Sequence, residues 1–112
     1  FDLDLLETHD CFTIAELLEY EAFGMAGAGR GAELVHQGTT AIDGRLPVNP
    51  SGGLKSKGHP IGATGVSMHA LAAAQLTGRS SGIQVENAEI AGVFNMGGAA
   101  VSNFASILER VR

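Results

Sequence analysis

Residues 56–76, SKGHPIGATGVSMHALAAAQL, change character halfway. From about Ala63 to Leu76 the run is almost wholly alanine, serine, valine, methionine and leucine, without proline or charge, and Gly78 follows as a stop. Small residues on every side predict a helix that is buried and closely approached by several neighbours. Just before it, His59 sits between Gly58, which lets another chain or a ligand come near, and Pro60, which fixes its own φ. A titratable ring at the mouth of a buried helix suits catalysis, because a helix amino terminus favours neutral imidazole. The same ring also suits a loop histidine capping a carbonyl.

Working outward, EIAGVFNMGGAAVSNFASILERV (89–111) reads as two strands, Ile90 to Asn95 and Ala99 to Leu108, joined at Gly97-Gly98. At the other end FDLDLLE (1–7) alternates acid and leucine as a short strand, buried on at least one face. The period then changes. Thr13 and Glu16 have capping-box spacing, with Phe12 and Leu17 placed as its hydrophobic staple, and Ile14, Leu17, Leu18 and Met25 continue at helical spacing to Gly24. HDCF (9–12) therefore lies on a strand-to-helix turn. Between the helices runs the glycine-rich connection of residues 24–49, longer than an ordinary loop. Its glycines follow a helix, whereas a dinucleotide-binding turn needs a strand before it and a helix after it. The order strand, helix, loop, helix, strand, strand gives a mixed α/β layered fold.

Composition bounds the rest. With 112 residues, 45% of them hydrophobic and 17% charged, the chain is one domain at most and able to bury a core. Sixteen glycines against five phenylalanines, one tyrosine and no tryptophan point to close backbone packing. A formal net charge of -5 argues against nucleic acid or an anionic membrane as partner. No apolar run reaches the roughly 18 residues of a membrane span. The single cysteine excludes an internal disulfide and fits a reducing compartment.

Cys11 is that cysteine. Near a helix start, behind His9 and Asp10, it could be an activated thiol, or simply a small buried hydrophobe. His36, in the long connection, and His69, in the small-residue helix, read as structural or exposed. Lys55 and Lys57 flank the His59 motif as solvated lysines or phosphate contacts. No paired Cys or His spacing suggests a metal, and none is expected.

HDCF (9–12), NPSGG (49–53), SKGHPIGATG (56–65) and NMGGAA (95–100) stand in the order and spacing of the carboxy-terminal half of thiolases. ELLEYEAFGMAGAGRGAELV (16–35) and VNPSGGLKSKGHP (48–60) are similar too, so the resemblance runs end to end. Its version of the first motif resembles the sterol-carrier-protein-2 type, where most thiolases read Asn-Glu-Ala-Phe. The resemblance implies an α-β-α-β-α layered fold with a mixed sheet, of which residues 1–112 would be the carboxy-terminal domain, incomplete at its amino end. It implies a homodimer or higher oligomer acting on acyl-CoA thioesters in lipid metabolism. A 3-oxoacyl-CoA would be cleaved with coenzyme A as co-substrate, or formed by Claisen condensation, with no permanently bound cofactor.

By the same resemblance His59 activates the nucleophile and helps bind an oxyanion, and His9 holds a water in the first oxyanion hole. Cys11 moves protons to the leaving enolate and from incoming coenzyme A, and the Gly97 N–H serves the second oxyanion hole. Two departures stand out. Asn95-Met96-Gly97 replaces the usual Cys-x-Gly, which agrees with Cys11 as the acid-base thiol. The nucleophilic cysteine belongs to the amino-terminal half, so these residues alone are expected to be inactive and to leave a strand edge and a sheet face uncovered. The ending ERVR lacks a peroxisomal tripeptide, which leans toward the cytoplasm. The alternative is a non-thiolytic thiolase-like scaffold, or an aldolase-type subunit, that binds acyl-CoA and a partner protein.

Overall fold

In the computed structural model, which describes residues 1–111, seven elements follow one another. They are β1 (Leu5–Thr8), α1 (Thr13–Ala22), α2 (Gly31–His36), α3 (Gly53–Lys57), α4 (Thr64–Leu76), β2 (Ile90–Gly97) and β3 (Ser102–Glu109). The strands form one mixed sheet in the order β1-β2-β3. β1 runs parallel to β2 with Leu5 beside Ala91, and β3 runs antiparallel to β2 with Gly97 beside Ser102. The α/β class and the mixed sheet are those expected from the sequence.

Why the sheet forms is visible in what it buries. All four residues of β1, Leu5, Leu6, Glu7 and Thr8, are buried, so neither of its faces meets solvent although it is an outer strand of the three. On one side α4 lays the stripe Thr64, Met68, Ala72, Gln75 and Leu76 over Leu5, Ala91 and Val93. Each fully buried large side chain there is worth about 1.5–3 kcal/mol. On the other side Gly92 leaves room for the leucine side chains, since a Cβ would stand 2.7 Å from Cδ1 of Leu3 and 2.9 Å from Cδ1 of Leu6 and would push those methyls aside.

Several expectations change. α4 is not buried all round: Val66, Ala70 and Ala73 are exposed, while the stripe that meets the sheet is buried. The edge of β1 is not bare either, for Leu6 N–H donates to the Pro47 carbonyl (3.0 Å) and Asn49 N–H donates to the Leu6 carbonyl (2.7 Å). The bare edge is that of β3, where Phe104 and Ile107 are exposed. On the sheet face opposite α4 a largely apolar cavity of about 500 Å³ opens between Leu3, Leu6, Phe23, Leu46 and Ile107.

The first strand starts at Leu5 rather than at the amino end, and the long connection contains α2. That helix seats Gly31 so tightly that a Cβ would collide with the Leu17 carbonyl. The hairpin turn spans residues 98–101, with Gly98, Ala99 and Ala100 all at positive φ, rather than centring on Gly97-Gly98.

The capping box does not form. Phe12, 70% exposed, is the N-cap residue, Thr13 is already helical, and no side chain caps the helix. Glu16 instead accepts a hydrogen bond from the Tyr20 hydroxyl (2.7 Å) and pairs with the Lys55 ammonium, two partners that outbid a single amide. The helix end matches better. Gly24, at φ +71, lets its own N–H reach the Glu21 carbonyl and the Met25 N–H reach the Tyr20 carbonyl, a Schellman closure. No helix among the described residues is long and apolar enough to cross a membrane.

Candidate functional site

The carboxyl end of β1 supplies the first wall. Its last residue, Thr8, is followed by His9 and Asp10, both buried, and by the half-buried Cys11. Asp10 does not point into the opening. Its carboxylate accepts the Leu54 N–H (2.6 Å) and the Lys55 N–H (3.3 Å), while the Lys55 ammonium lies 3.9 Å away. It thus caps the start of α3 and fixes the segment that leads to His59.

The NPSGG stretch locks the same segment to β1. The Asn49 side-chain oxygen accepts the Thr8 N–H (2.8 Å). Ser51 donates to Glu7 through its hydroxyl (2.6 Å) and its N–H (3.1 Å). Burial, partly offset by Ser51, pushes the Glu7 carboxyl up from its ordinary range.

Past Gly58, at φ +95, the chain reaches His59. The Pro60 carbonyl accepts the N–H groups of Ala63 (3.0 Å) and Thr64 (3.1 Å), which turns the backbone into α4. The Thr64 hydroxyl also donates to that carbonyl (3.1 Å), so its lone pair accepts the His59 Nδ1 proton (2.7 Å). Among the described residues Nε2 of His59 has no hydrogen-bond partner. The His9 and His59 rings meet edge to face, their centroids 4.8 Å apart.

The structure brings His9, Cys11, His59 and Gly97 together on one open cavity of about 990 Å³. Phe12, Ile61, Val66, Met96 and Phe104 give it an apolar side. His69 also borders it, but both ring nitrogens are engaged, Nδ1 donating to the Gly65 carbonyl (2.6 Å) and Nε2 accepting from the Ser106 hydroxyl (3.0 Å). His36 is exposed at the end of α2, away from the cavity. Lys55 is tied to Asp10 and Glu16, and Lys57 is exposed. Among the described residues no three His, Cys, Asp or Glu side chains are disposed to hold a metal ion.

Sequence reasoning missed Asp10, Thr64 and Glu19. Thr64 was on view in GATG, five residues from His59, and a hydroxyl at that spacing in a helix's first turn was the available signal. Glu19 was not visible, because on paper it looks like a solvated helix residue. It is buried, takes a hydrogen bond from the Thr8 hydroxyl, and is raised to about 7 chiefly by loss of solvent.

Residues 1–110 match the family model described as thiolase C-terminal domain-like. An acetyl-CoA acetyltransferase of Methanothermobacter thermautotrophicus is 46% identical over 109 residues, covering 97% of this chain and 28% of that protein. Human sterol carrier protein 2 is 48% identical over 101 residues, covering 89% of this chain and 18% of the relative. Among solved structures, an Ltp2-ChsH2(DUF35) aldolase superposes with a TM-score of 0.84 at 25% identity, over 96% of this chain and 27% of that one. The chain therefore spans about a quarter or less of the length of these proteins.

Proposed function

This chain belongs to the thiolase C-terminal domain-like family, and from that premise we propose that it is the carboxy-terminal part of an acyl-CoA acyltransferase. The reaction is cleavage of a 3-oxoacyl-CoA with coenzyme A, or its reverse Claisen condensation. A cysteine in polypeptide outside these residues is the nucleophile, and the working unit is a homodimer or higher oligomer. The observation that carries the reading is the meeting of His9, Cys11, His59 and Gly97 on one cavity of about 990 Å³, from stretches far apart in sequence.

His59 has Nδ1 engaged by Thr64 and Nε2 free, the arrangement a general base needs. Nε2 takes the proton of the attacking thiol as its sulfur bonds to C3 of the substrate. The C2–C3 bond breaks, and the enolate of acetyl-CoA takes a proton from Cys11. The resulting Cys11 thiolate removes the proton of incoming coenzyme A, whose sulfur takes the acyl group as the bond to the nucleophilic cysteine breaks and that thiolate recovers its proton from His59. His9 holds a water toward one developing oxyanion, and the Gly97 N–H faces the other, a donor worth about 3 kcal/mol.

The test follows acetyl-CoA formation from acetoacetyl-CoA and coenzyme A in the full polypeptide. Cys11→Ala should slow turnover by orders of magnitude while acylation of the nucleophile survives in part, and His59→Ala should suppress acylation itself. Equal effects of both changes on one step would contradict the assignment. The similarity to an aldolase at TM-score 0.84 favours a second reading, a scaffold or aldolase-type subunit that binds acyl-CoA beside a partner protein. Tight binding of coenzyme A without any thiol consumption would select it.

A further inference from the structure

Asn95 is the residue the sequence left without a role. It lies on the α4 side of β2, two residues after the buried Val93, and its side chain is gripped from two directions. A Cβ on Gly65, in the first turn of α4, would stand 2.9 Å from Asn95 Nδ2 and 3.5 Å from its Cγ, so the amide nitrogen occupies the gap that glycine leaves. The amide oxygen faces the other way and lies 2.8 Å from His9 Nδ1. A carbonyl oxygen can only accept, so the proton between them belongs to His9 Nδ1. His9 is 5% exposed and held edge to face against His59, which leaves its ring little freedom to turn over.

We infer that Asn95 is a positioning residue, wedged against Gly65, that fixes His9 as the Nδ1–H tautomer and leaves His9 Nε2 as a bare acceptor at the cavity. The inference rests on the acyltransferase reading for its purpose but not for its geometry. An unprotonated Nε2 holds a water by accepting one of its protons, and that water then turns its second proton outward as a donor. An Nε2–H would instead bind the water through its oxygen. HDCF, GATG and NMGG are on this view one interlocked unit, in which the glycine shapes the amide and the amide sets the imidazole.

The experiment reads both histidines by long-range proton–nitrogen NMR at alkaline pH on nitrogen-labelled protein. His9 in the wild type should show a protonated Nδ1 and a bare Nε2. Asn95→Ala should move it toward the Nε2–H form that free imidazole favours, and Gly65→Ala should do the same by displacing the amide. Asn95→Asp, which keeps an acceptor oxygen in place, should restore the wild-type pattern, something a purely structural role would not require. In the turnover assay Asn95→Ala should lower kcat by about 10- to 100-fold, the usual range for a residue that orients another.

A wild-type His9 protonated on Nε2 overturns the inference, and so does an Asn95→Ala protein whose His9 is unchanged. If Asn95→Ala does not fold, Gly65→Ala and Asn95→Asp decide the matter by the same spectrum. Tautomer shifts as expected in a protein that turns over no acyl-CoA would leave Asn95 as assigned and sink the acyltransferase reading instead.

Discussion

Replacing Gly53 by alanine tests whether Asp10 holds the loop that carries His59. Gly53 has φ +64, and a Cβ there would collide with Oδ2 of Asp10 and stand 2.7 Å from its Cγ. Two costs follow. Alanine in the left-handed region loses about 1–2 kcal/mol. Displacing the buried Asp10 carboxylate from the Leu54 N–H, 2.6 Å away, forfeits a charge-assisted hydrogen bond worth about 1.5–3 kcal/mol. The expected loss is about 2.5–5 kcal/mol, a large share of the roughly 5–15 kcal/mol that ordinarily separates folded from unfolded chains. Gly24 supplies the control, because its φ is +71 and nothing lies within 4 Å of the added methyl. Gly24→Ala should therefore show the conformational cost alone, about 1–2 kcal/mol. Urea unfolding followed by circular dichroism measures both. Equal losses for the two variants would refute the argument, since the Asp10 contact would then contribute nothing.

Glu19, raised to about 7 from its ordinary 4.5 chiefly by burial, binds more protons folded than unfolded between those values. Its contribution to stability is thus present in full at the acid end and lost as pH rises through about 7. Glu19→Gln should flatten the fall in urea midpoint over that window, and parallel curves for the two proteins would count against it. Ser51→Ala removes the hydroxyl that donates to the buried Glu7 carboxylate at 2.6 Å. It should cost about 1–3 kcal/mol, read from the same urea midpoints; a change below a few tenths would show that water replaces the hydroxyl freely.

What could be read from the chain, and what could not, divides by the range of the interaction. The turn carrying HDCF was legible because hydrophobic period changes there, from alternation at Leu3 and Leu5 to helical spacing after Phe12. The two closing strands were legible from their β-branched and aromatic runs. The capping box failed because Glu16 has a competing partner, Lys55, that is 39 positions away. α2 was missed because its six residues have almost no pattern of their own and are held by the tight seat of Gly31 on α1. The links that build the site, Asp10 to Leu54 and Asn95 to His9, join residues 44 and 86 apart. No local periodicity can announce them.

Topology explains why these distant pieces meet at one place. Because β1 and β2 are parallel, their carboxyl ends point the same way, and open α/β sheets place ligand sites beyond those ends. His9 and Cys11 follow β1, while Asn95 and Gly97 close β2. The connection between the two strands must return to the far end of the sheet, and α4 makes that return, so its amino terminus begins where β1 stopped. That puts His59 and Thr64 beside His9 without any further device. Asp10 and Asn95 then act on the remaining freedom: one fixes where the His59 loop starts, the other how the His9 ring is protonated. Both are polar side chains spent on neighbours rather than on the cavity, and a site whose imidazoles needed no fixed geometry would have little use for either.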